Sequence, residues 1–327
     1  MCLVGVAIDI NRRFPLVIAA NRDEYHARPT ARLAWWKPTP DSKEILAGRD
    51  LHAGGTWLGL SADGRLALVS ASGDAGQRDP EAPSRGRIVP DWLAGQERMD
   101  HFWMRTALSG YQDFNLMCFD FTEGAFYHAS NRSVFPERLC AGLYGLSSGE
   151  LDADWPKVRD LKRDMSDALK RCKTSDTLAE ALFHALGRRP APAGASQPAQ
   201  GHTLAKADPS VIDHAGSAFC RSEDGLYGTR SSTLVITEHG KRGLVTTVLE
   251  RSYGPLPGSA PLLRRSTLQD WPDPQAFEAR QGEAARAGRG RPKALATALF
   301  DILEAAPAEL DGTLPPDWHA MTHATER

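Results

Sequence analysis

Two short apolar runs lie near the beginning of the chain, separated by a polar break. Residues 3–10 and 14–20 are apolar and rich in branched side chains. Branched apolar residues favour extended structure, so the pattern predicts two antiparallel strands joined by a turn near Arg12. In such a hairpin each residue lies opposite a fixed partner, and this register places Arg22 across from Cys2.

A polar run ends the second predicted strand. It contains four consecutive polar or charged residues, Asn21, Arg22, Asp23 and Glu24. The predicted pairing brings this run to the beginning of the chain, where Cys2 follows Met1 directly. Cysteine is small enough for the initiator methionine to be removed, so we expect a mature chain whose first residue carries both a thiol and an α-amine.

A terminal cysteine beside these charges has the features of a nucleophile. An α-amine with a pKa of about 8 could take the thiol proton. Arg22 could stabilise the thiolate, and Asp23 could orient either Arg22 or the amine. The alternative interpretation is that Cys2 is a small apolar strand residue and that the polar run is a solvated turn. For an arbitrary chain this second interpretation is the more common case.

Further strands are predicted in pairs, and helices are predicted between them. The strand pairs are residues 56–60 with 65–69, 114–120 with 125–129, and 226–237 with 243–253. The predicted helices cover residues 84–94, 156–172 and 175–186. Residues 31–50 contain several prolines and are predicted as an ordered loop, and His128 is interpreted as an ordinary strand residue. Strands in hairpins with helices between them are typical of an antiparallel α+β fold.

The chain is predicted to have one main domain and a C-terminal extension. Residues 1–253 contain all of the strand pairs and the three helices. Residues 254–327 are rich in Pro, Gly and Arg, apart from one predicted helix at 292–305. A single amphipathic helix cannot bury its own apolar face, so we expect it to dock on the main domain.

Composition excludes several classes of function. The chain is 41% hydrophobic and 24% charged with a net charge of -2, which gives no reason to expect nucleic acid as a partner. Five cysteines without a C-x-x-C pair and ten scattered histidines predict no disulfide, no metal and no cofactor.

No apolar run is long enough to span a membrane, and no signal peptide precedes the first strand, so a cytoplasmic protein is expected. Abundant Ala and Arg suggest a GC-rich bacterial genome.

Several short blocks, in a fixed order, resemble the NRDE family, which includes the transport and Golgi organisation 2 proteins. They run from Met1 to about Tyr253 and comprise MC, AANRDEYHARP, GGTWLGLSADGRLALV, SRGRIV, FNLMCFDF, YGLSS and YGTRSSTLVI. This family is similar to N-terminal nucleophile hydrolases of the penicillin acylase and bile-salt hydrolase branch. The resemblance therefore implies a four-layer αββα sandwich with two antiparallel sheets and with Cys2 as the nucleophile.

The resemblance also implies roles for individual residues. In that branch an Arg, an Asp, two Asn of the oxyanion site and a later Arg surround the nucleophile. The implied catalytic residues are Cys2, Arg22, Asp23 and Arg230. The implied substrate-binding residues are Asn21, Glu24, Trp57, Ala71 and Ser148. Relatives usually carry Asn at the positions of Ala71 and Ser148, and loss of one oxyanion donor can cost about 2.7 to 4 kcal/mol of transition-state stabilisation.

Two functions of different classes are compatible with these features. The first is a cysteine amidohydrolase or acyltransferase that acts on a small acylated amide or thioester through a thioester on Cys2. The second is a non-catalytic binding or trafficking protein that uses the same cleft for an amphipathic metabolite. For this ligand the resemblance implies haem, acyl-CoA or a lipid, since eukaryotic members of the family have been connected with haem trafficking and with lipid or coenzyme A metabolism. A processed N-terminus beside Arg22 and Asp23 favours the first, and the replacement of both asparagines favours the second. The sequence indicates neither the substrate nor the oligomeric state.

Overall fold

The first two strands pair as the sequence predicts. In the computed structural model, β1 (Cys2–Ile8) and β2 (Leu16–Tyr25) are antiparallel, with Cys2 opposite Arg22. The predicted register is therefore confirmed. The structure describes residues 2–272, except 73–78, 80, 190–215, 223, 242, 255 and 257.

Eleven further strands follow within the described part of the chain. They are β3 (Thr30–Trp36), β4 (Ile45–Asp50), β5 (Leu58–Ser61), β6 (Arg65–Ala71), β7 (Phe114–Asp120), β8 (Ala125–Ser130), β9 (Glu137–Arg138), β10 (Gly142–Leu146), β11 (Tyr227–His239), β12 (Leu244–Ser252) and β13 (Leu262–Gln269). One sheet has the strand order β10-β1-β2-β11-β12-β13, and the other runs from β3 to β9 in chain order. All of these neighbouring strands are antiparallel.

The strands alternate between two apolar environments, which gives the fold its layers. In β2, Ile18 packs into the core between the two sheets, and Ala19 packs on the other face of its sheet. That outer face is covered by α3 (Pro156–Arg171) and α4 (Ser175–Leu186). The second sheet is covered by α1 (Ile88–Ala94) and α2 (Met99–Ala107), which follow a 3-10 turn at Arg85–Arg87.

With two helices outside each of the two antiparallel sheets, the described residues form a four-layer αββα sandwich. The α+β fold class that the sequence indicates is thus confirmed. The core between the sheets contains Val6 and Ile18 from the first sheet and Leu68 and Phe119 from the second. Because both faces of each sheet are buried, the central strands are apolar on both sides, as the near-continuous burial of β2 and β7 shows.

The prediction of a loop over residues 31–50 is wrong. This segment contains most of β3 and all of β4, which form one edge of the second sheet. The prolines that suggested a loop, Pro38 and Pro40, lie in the connection between the two strands. β3 has only Leu33 fully buried, so this edge strand lacks the apolar pattern of an inner strand. Helix α2 was not predicted either.

The predicted end of the domain at residue 253 is followed by a further strand. β13 pairs with β12 along its whole length, from Val245 opposite Gln269 to Ser252 opposite Leu262. Trp271 follows it and packs in the core between the sheets. Sheet and core therefore extend past residue 253, which the sequence analysis had taken as the end of the strand-containing part. The helix predicted at 292–305 lies outside the described residues.

Replacing Trp271 tests whether this late segment is part of the fold. The side chain is 4% exposed, its ring lies 5.4 Å from that of Phe121, and its Nε1 donates to the Ser61 carbonyl at 2.8 Å. We expect Trp271→Ala to lower the free energy of unfolding by about 3 to 5 kcal/mol, measured by urea denaturation. Leu256→Ala, at an exposed position, is the control. A loss no larger than that of the control would show that residues 262–272 are dispensable.

Candidate functional site

A row of four residues crosses the first sheet at the end that contains Cys2. Cys2 lies opposite Arg22, Arg22 opposite Ser231, and Ser231 opposite Ser252. The register shifts between Thr229 and Ser231, so that a bulge leaves Arg230 outside the ladder. Bulges are common next to active sites, where they change the direction of a side chain.

Arg22 is a buried cation with weak polar contacts. Its side chain is 7% exposed, and its guanidinium stacks on the Trp57 ring, 4.3 Å from the ring centroid. Its polar partners are more distant: Nη1 is 3.4 Å from Thr30 Oγ1, and Nη2 is 3.5 Å from Glu24 Oε2. Good charge-assisted hydrogen bonds measure about 2.7 to 2.9 Å. Arg22 is therefore held in place by stacking and retains donor capacity.

The Trp57 ring packs against Gly48 of β4 and against Arg22 of β2. A Cβ atom on Gly48 would lie 2.6 Å from the Trp57 ring, so only glycine permits this contact. The carboxylate of Glu250, in the first sheet, also approaches Gly48. A Cβ atom on Gly48 would lie 3.0 Å from Glu250 Oε2. Trp57 thus lies against Arg22 as well as next to Gly48, and its role in substrate binding stays a prediction.

Glu250 is a site residue that the sequence analysis missed. Its Oε1 accepts from the Leu33 backbone N–H at 2.8 Å and from Ser252 Oγ at 3.3 Å. Burial raises the pKa of this carboxyl group, whereas its hydrogen bonds and the charge of Arg22 act in the opposite direction. The available signal was a Glu that directly follows the apolar pair Val248 and Leu249 in a predicted strand.

The carboxylate of Asp23 is hydrogen-bonded away from the guanidinium of Arg22, so the described contacts give no support to the expectation that Asp23 orients Arg22. Asp23 Oδ1 accepts from Thr229 Oγ1 at 2.7 Å, and Thr229 Oγ1 lies 3.8 Å from the sulfur of Cys220. Burial raises the pKa of the Cys220 thiol, with a further contribution from the charge of Asp23. Consecutive residues of a strand project to opposite faces of the sheet, which separates Asp23 from Arg22. A role for Asp23 in orienting the α-amine stays a prediction.

Asn21 lies on the same face as Asp23 and is occupied by structural hydrogen bonds. Its amide nitrogen donates to the carbonyls of Leu186 at 2.9 Å and Ala218 at 2.7 Å. Its oxygen accepts from Ser232 Oγ. These bonds tie the C-terminal end of α4 to the sheet. The structure therefore does not bring Asn21 to the Arg22 side of the sheet.

Arg230 and Glu24 lie close to Arg22, but both also have structural partners. Arg230 Nη1 donates to the carbonyls of Tyr25 at 2.9 Å, His26 at 2.6 Å and Arg28 at 3.2 Å. Burial and the charge of Arg22 lower the pKa of Arg230. Glu24 lies between Arg22, at 3.5 Å, and Arg28, at 3.7 Å. Arg230 thus holds the turn after β2 and adds positive charge near Arg22.

Ala71 and Ser148, the two positions at which the resemblance implies Asn, lie in different parts of the fold. Ala71 is the last residue of β6, in line with Ala67 and Val69, which pack towards α1 and α2. It therefore belongs to the helix-covered face and not to the space between the sheets. Ser148 follows Leu146, which pairs with Val4. Continuing this register by two residues brings Ser148 level with Cys2. The Oγ of Ser148 is buried and has no hydrogen-bond partner among the described residues.

A buried polar pair lies in the second sheet. Asn115 Nδ2 donates to the Gly149 carbonyl at 2.8 Å, next to Ser148, and His128 Nε2 lies 3.1 Å from Asn115 Oδ1. Because the amide nitrogen of Asn115 is a donor here, its oxygen accepts, and His128 Nε2 carries the proton. Burial lowers the pKa of His128 to about 4. His128 is therefore neutral at pH 7 and bonded within the sheet.

His128 should make the fold sensitive to acid. Its pKa is about 4 in the folded chain and about 6.5 when unfolded, so the unfolded state binds more protons between these values. Stability is therefore lost as pH falls from 6.5 towards 4. Between pH 7 and pH 5, the free energy of unfolding of the wild type should fall by roughly 2 kcal/mol more than that of His128→Gln, measured by urea denaturation at both pH values. His101→Gln, at an exposed site, is the control. An identical acid loss in wild type and His128→Gln would contradict the assignment.

None of the helices described is long and apolar enough to cross a membrane. Within the same residues, no group of three or more His, Cys, Asp or Glu side chains could hold a metal ion.

The chain is similar to solved structures of low sequence identity. One is penicillin V acylase from Agrobacterium tumefaciens, at 12% identity and a TM-score of 0.42, covering 81% of this chain and 85% of the acylase. Another is the Caenorhabditis elegans orthologue of N-acylethanolamine-hydrolyzing acid amidase, at 11% identity and a TM-score of 0.40, covering 72% of this chain and 92% of the amidase.

Sequence relatives give a more specific result. The human Transport and Golgi organization protein 2 homolog is 27% identical over 263 residues, covering 73% of this chain and 89% of the relative. The Bos taurus homolog is 28% identical over 255 residues with the same coverage. These are animal proteins, and they give no support to a bacterial origin. The family model for Transport and Golgi organisation 2 matches residues 1–255, and the chain therefore belongs to this family.

Proposed function

We propose that this chain is a cysteine amidohydrolase or acyltransferase that acts on a small acylated amide or thioester through Cys2. The observation that supports the proposal best is the pairing of Cys2 with Arg22. A buried guanidinium with only long polar contacts, opposite a cysteine at the end of a strand, is suited to stabilise a thiolate.

The reaction would begin with proton transfer within one residue. After Met1 is removed, the α-amine of Cys2 takes the thiol proton, directly or through one water. The thiolate then attacks the acyl carbonyl carbon, and a carbon–sulfur bond forms. The bond to the leaving amine or thiol breaks, and the protonated α-amine returns its proton to that leaving group. Water, or an amine acceptor, finally attacks the thioester and releases Cys2.

A second candidate is the binding or trafficking protein for an amphipathic metabolite. It is favoured by the residues at the two positions where relatives carry Asn. Ala71 has no donor and lies on the helix-covered face, and Ser148 offers a hydroxyl instead of an amide. The name of the relatives, which refers to transport, is also compatible with this function. A cytoplasmic location and the absence of a cofactor, a metal or a nucleic-acid partner remain predictions under both proposals.

Mass spectrometry of the purified chain tests the enzyme proposal. We expect the intact mass to lack Met1, and peptide mapping after brief exposure to a thiol alkylator at pH 7 to find Cys2 modified first. Cys140 is exposed and serves as the internal reference, whereas Cys118 and Cys220 are buried. Retention of Met1, or alkylation of Cys2 no faster than of Cys140, would count against a terminal nucleophile.

A further inference from the structure

Ser231 is a buried hydroxyl that no part of the proposed reaction uses. Its side chain is 4% exposed, and its Oγ has no hydrogen-bond partner among the described residues. A buried polar group without a partner costs about 1 to 3 kcal/mol, so such groups need an explanation. Ser231 is therefore a sign of a ligand atom that completes the site.

The register shows that the side chains of Ser231 and Arg22 face the same space. Cross-strand partners share a face of the sheet, and Ser231 lies opposite Arg22. Val235, four residues further along the same strand, packs in the core between the sheets, so this face of β11 is the inner one. Both donors thus face the space between the sheets, where Trp57 supports the guanidinium.

The charges around this pair favour an anionic acceptor. Arg230 lies close enough to Arg22 for its pKa to be lowered, and its buried Nε also has no partner in the described part of the chain. The negative charge of Glu24 is shared between two arginines, because its Oε2 lies 3.5 Å from Arg22 Nη2 and 3.7 Å from Arg28 Nε. Glu250 is occupied by Leu33 and Ser252. A planar carboxylate matches the fork of an arginine and can accept from a serine at the same time.

We propose that Arg22 and Ser231 bind a carboxylate of the substrate, so that the chain acts on acyl compounds that carry a free carboxylate. The inference rests on the proposed function for the acyl part of the substrate. Neighbouring strands are about 4.8 Å apart, so Ser231, two strands from Cys2, is roughly 10 Å away across the sheet. The carboxylate should accordingly be several bonds from the reacting carbonyl, with Arg22 between the two groups.

Equilibrium binding to the full-length Cys2→Ala chain tests this inference without any turnover. The probes are adipamate, which has an amide at one end and a carboxylate at the other, and adipamide, its neutral counterpart. We expect adipamate to bind at least roughly tenfold more tightly, because a hydrogen-bonded ion pair is lost with adipamide. Ser231→Ala in the same background should weaken adipamate binding roughly tenfold and leave adipamide binding unchanged.

Thr237→Ala is the matched control, since Thr237 is a buried hydroxyl residue at the other end of the same strand, where its Oγ1 is 2.8 Å from Thr246 Oγ1. It should not change the ratio of the two affinities, and thermal unfolding verifies that both variants are folded. Equal binding of adipamate and adipamide, or no binding of either at millimolar concentration, would overturn the carboxylate site. Because Cys2 is absent from the assay, these results do not depend on whether Cys2 is a nucleophile.

Discussion

Replacing Arg22 by alanine is expected to slow alkylation of Cys2 at neutral pH by roughly tenfold or more. An opposite charge within about 4 to 6 Å lowers the pKa of an acid by about 1 to 3 units, and Arg22 is the cross-strand partner of Cys2. Without the cation, the thiolate fraction at pH 7 should fall by the corresponding factor. The rate of alkylation at Cys2 as a function of pH, followed by peptide mapping, measures this change.

Two variants make the interpretation of that result specific. Arg22→Lys keeps the charge and loses the stacking on Trp57, so its profile should lie between those of wild type and Arg22→Ala. Arg13→Ala removes a cation from the other end of the same hairpin, in an exposed pair with Glu238, and should leave the profile unchanged. If Arg22→Ala gave the wild-type profile, the polar run would be a solvated turn without influence on Cys2.

An effect on stability as large as that of Trp271→Ala is expected at Arg65. Its guanidinium makes two bonds to Asp120 Oδ2, at 2.9 Å from Nε and 2.8 Å from Nη2, with side chains 9% and 2% exposed. It also donates to the carbonyls of Trp92, Gly95 and Glu97, at the C-terminal end of α1. Arg65→Ala leaves Asp120 charged and buried, so we expect a loss of about 3 to 5 kcal/mol in the free energy of unfolding by urea denaturation.

An exposed ion pair provides the comparison for Arg65. Arg159 and Asp154 lie 2.6 Å apart with both side chains more than half exposed, and such pairs contribute about 0 to 1 kcal/mol. Arg159→Ala should therefore change stability little. A loss below about 1 kcal/mol in Arg65→Ala would show that Asp120 is neutralised or hydrated, and that α1 is not held to the sheet through this pair.

Elements with a strong local signal could be predicted from the sequence. The N-terminal hairpin has apolar runs on both sides of a short polar turn, and its register was predicted residue by residue. Helix α4 begins and ends where predicted, because Thr174 and Thr177 form a capping box and Gly187 follows the last apolar turn. In both cases neighbouring residues in the chain determine the structure.

Features that depend on distant parts of the chain could not be predicted. β13 is an exposed strand whose position follows from its pairing with β12. Ser231 comes opposite Arg22 because of a bulge that leaves one residue unpaired. Glu250 approaches Trp57 because the two sheets face each other. The separation of Arg22 and Asp23, by contrast, follows from the alternation of side chains along a strand, which is readable from the sequence.

Trapping of an acyl group on Cys2 tests the central claim most directly. Wild type, Cys2→Ala, Cys2→Ser and a chain with an uncleavable N-terminal extension would be incubated with a panel of N-acyl amides and acyl thioesters, and adducts would be located by mass spectrometry. The account predicts a thioester on Cys2 of the wild type that is absent from Cys2→Ala and strongly reduced by the extension, since the extension blocks the α-amine. It would be contradicted if no compound of the panel formed an adduct with the wild type, while an amphipathic ligand bound wild type and Cys2→Ala equally well.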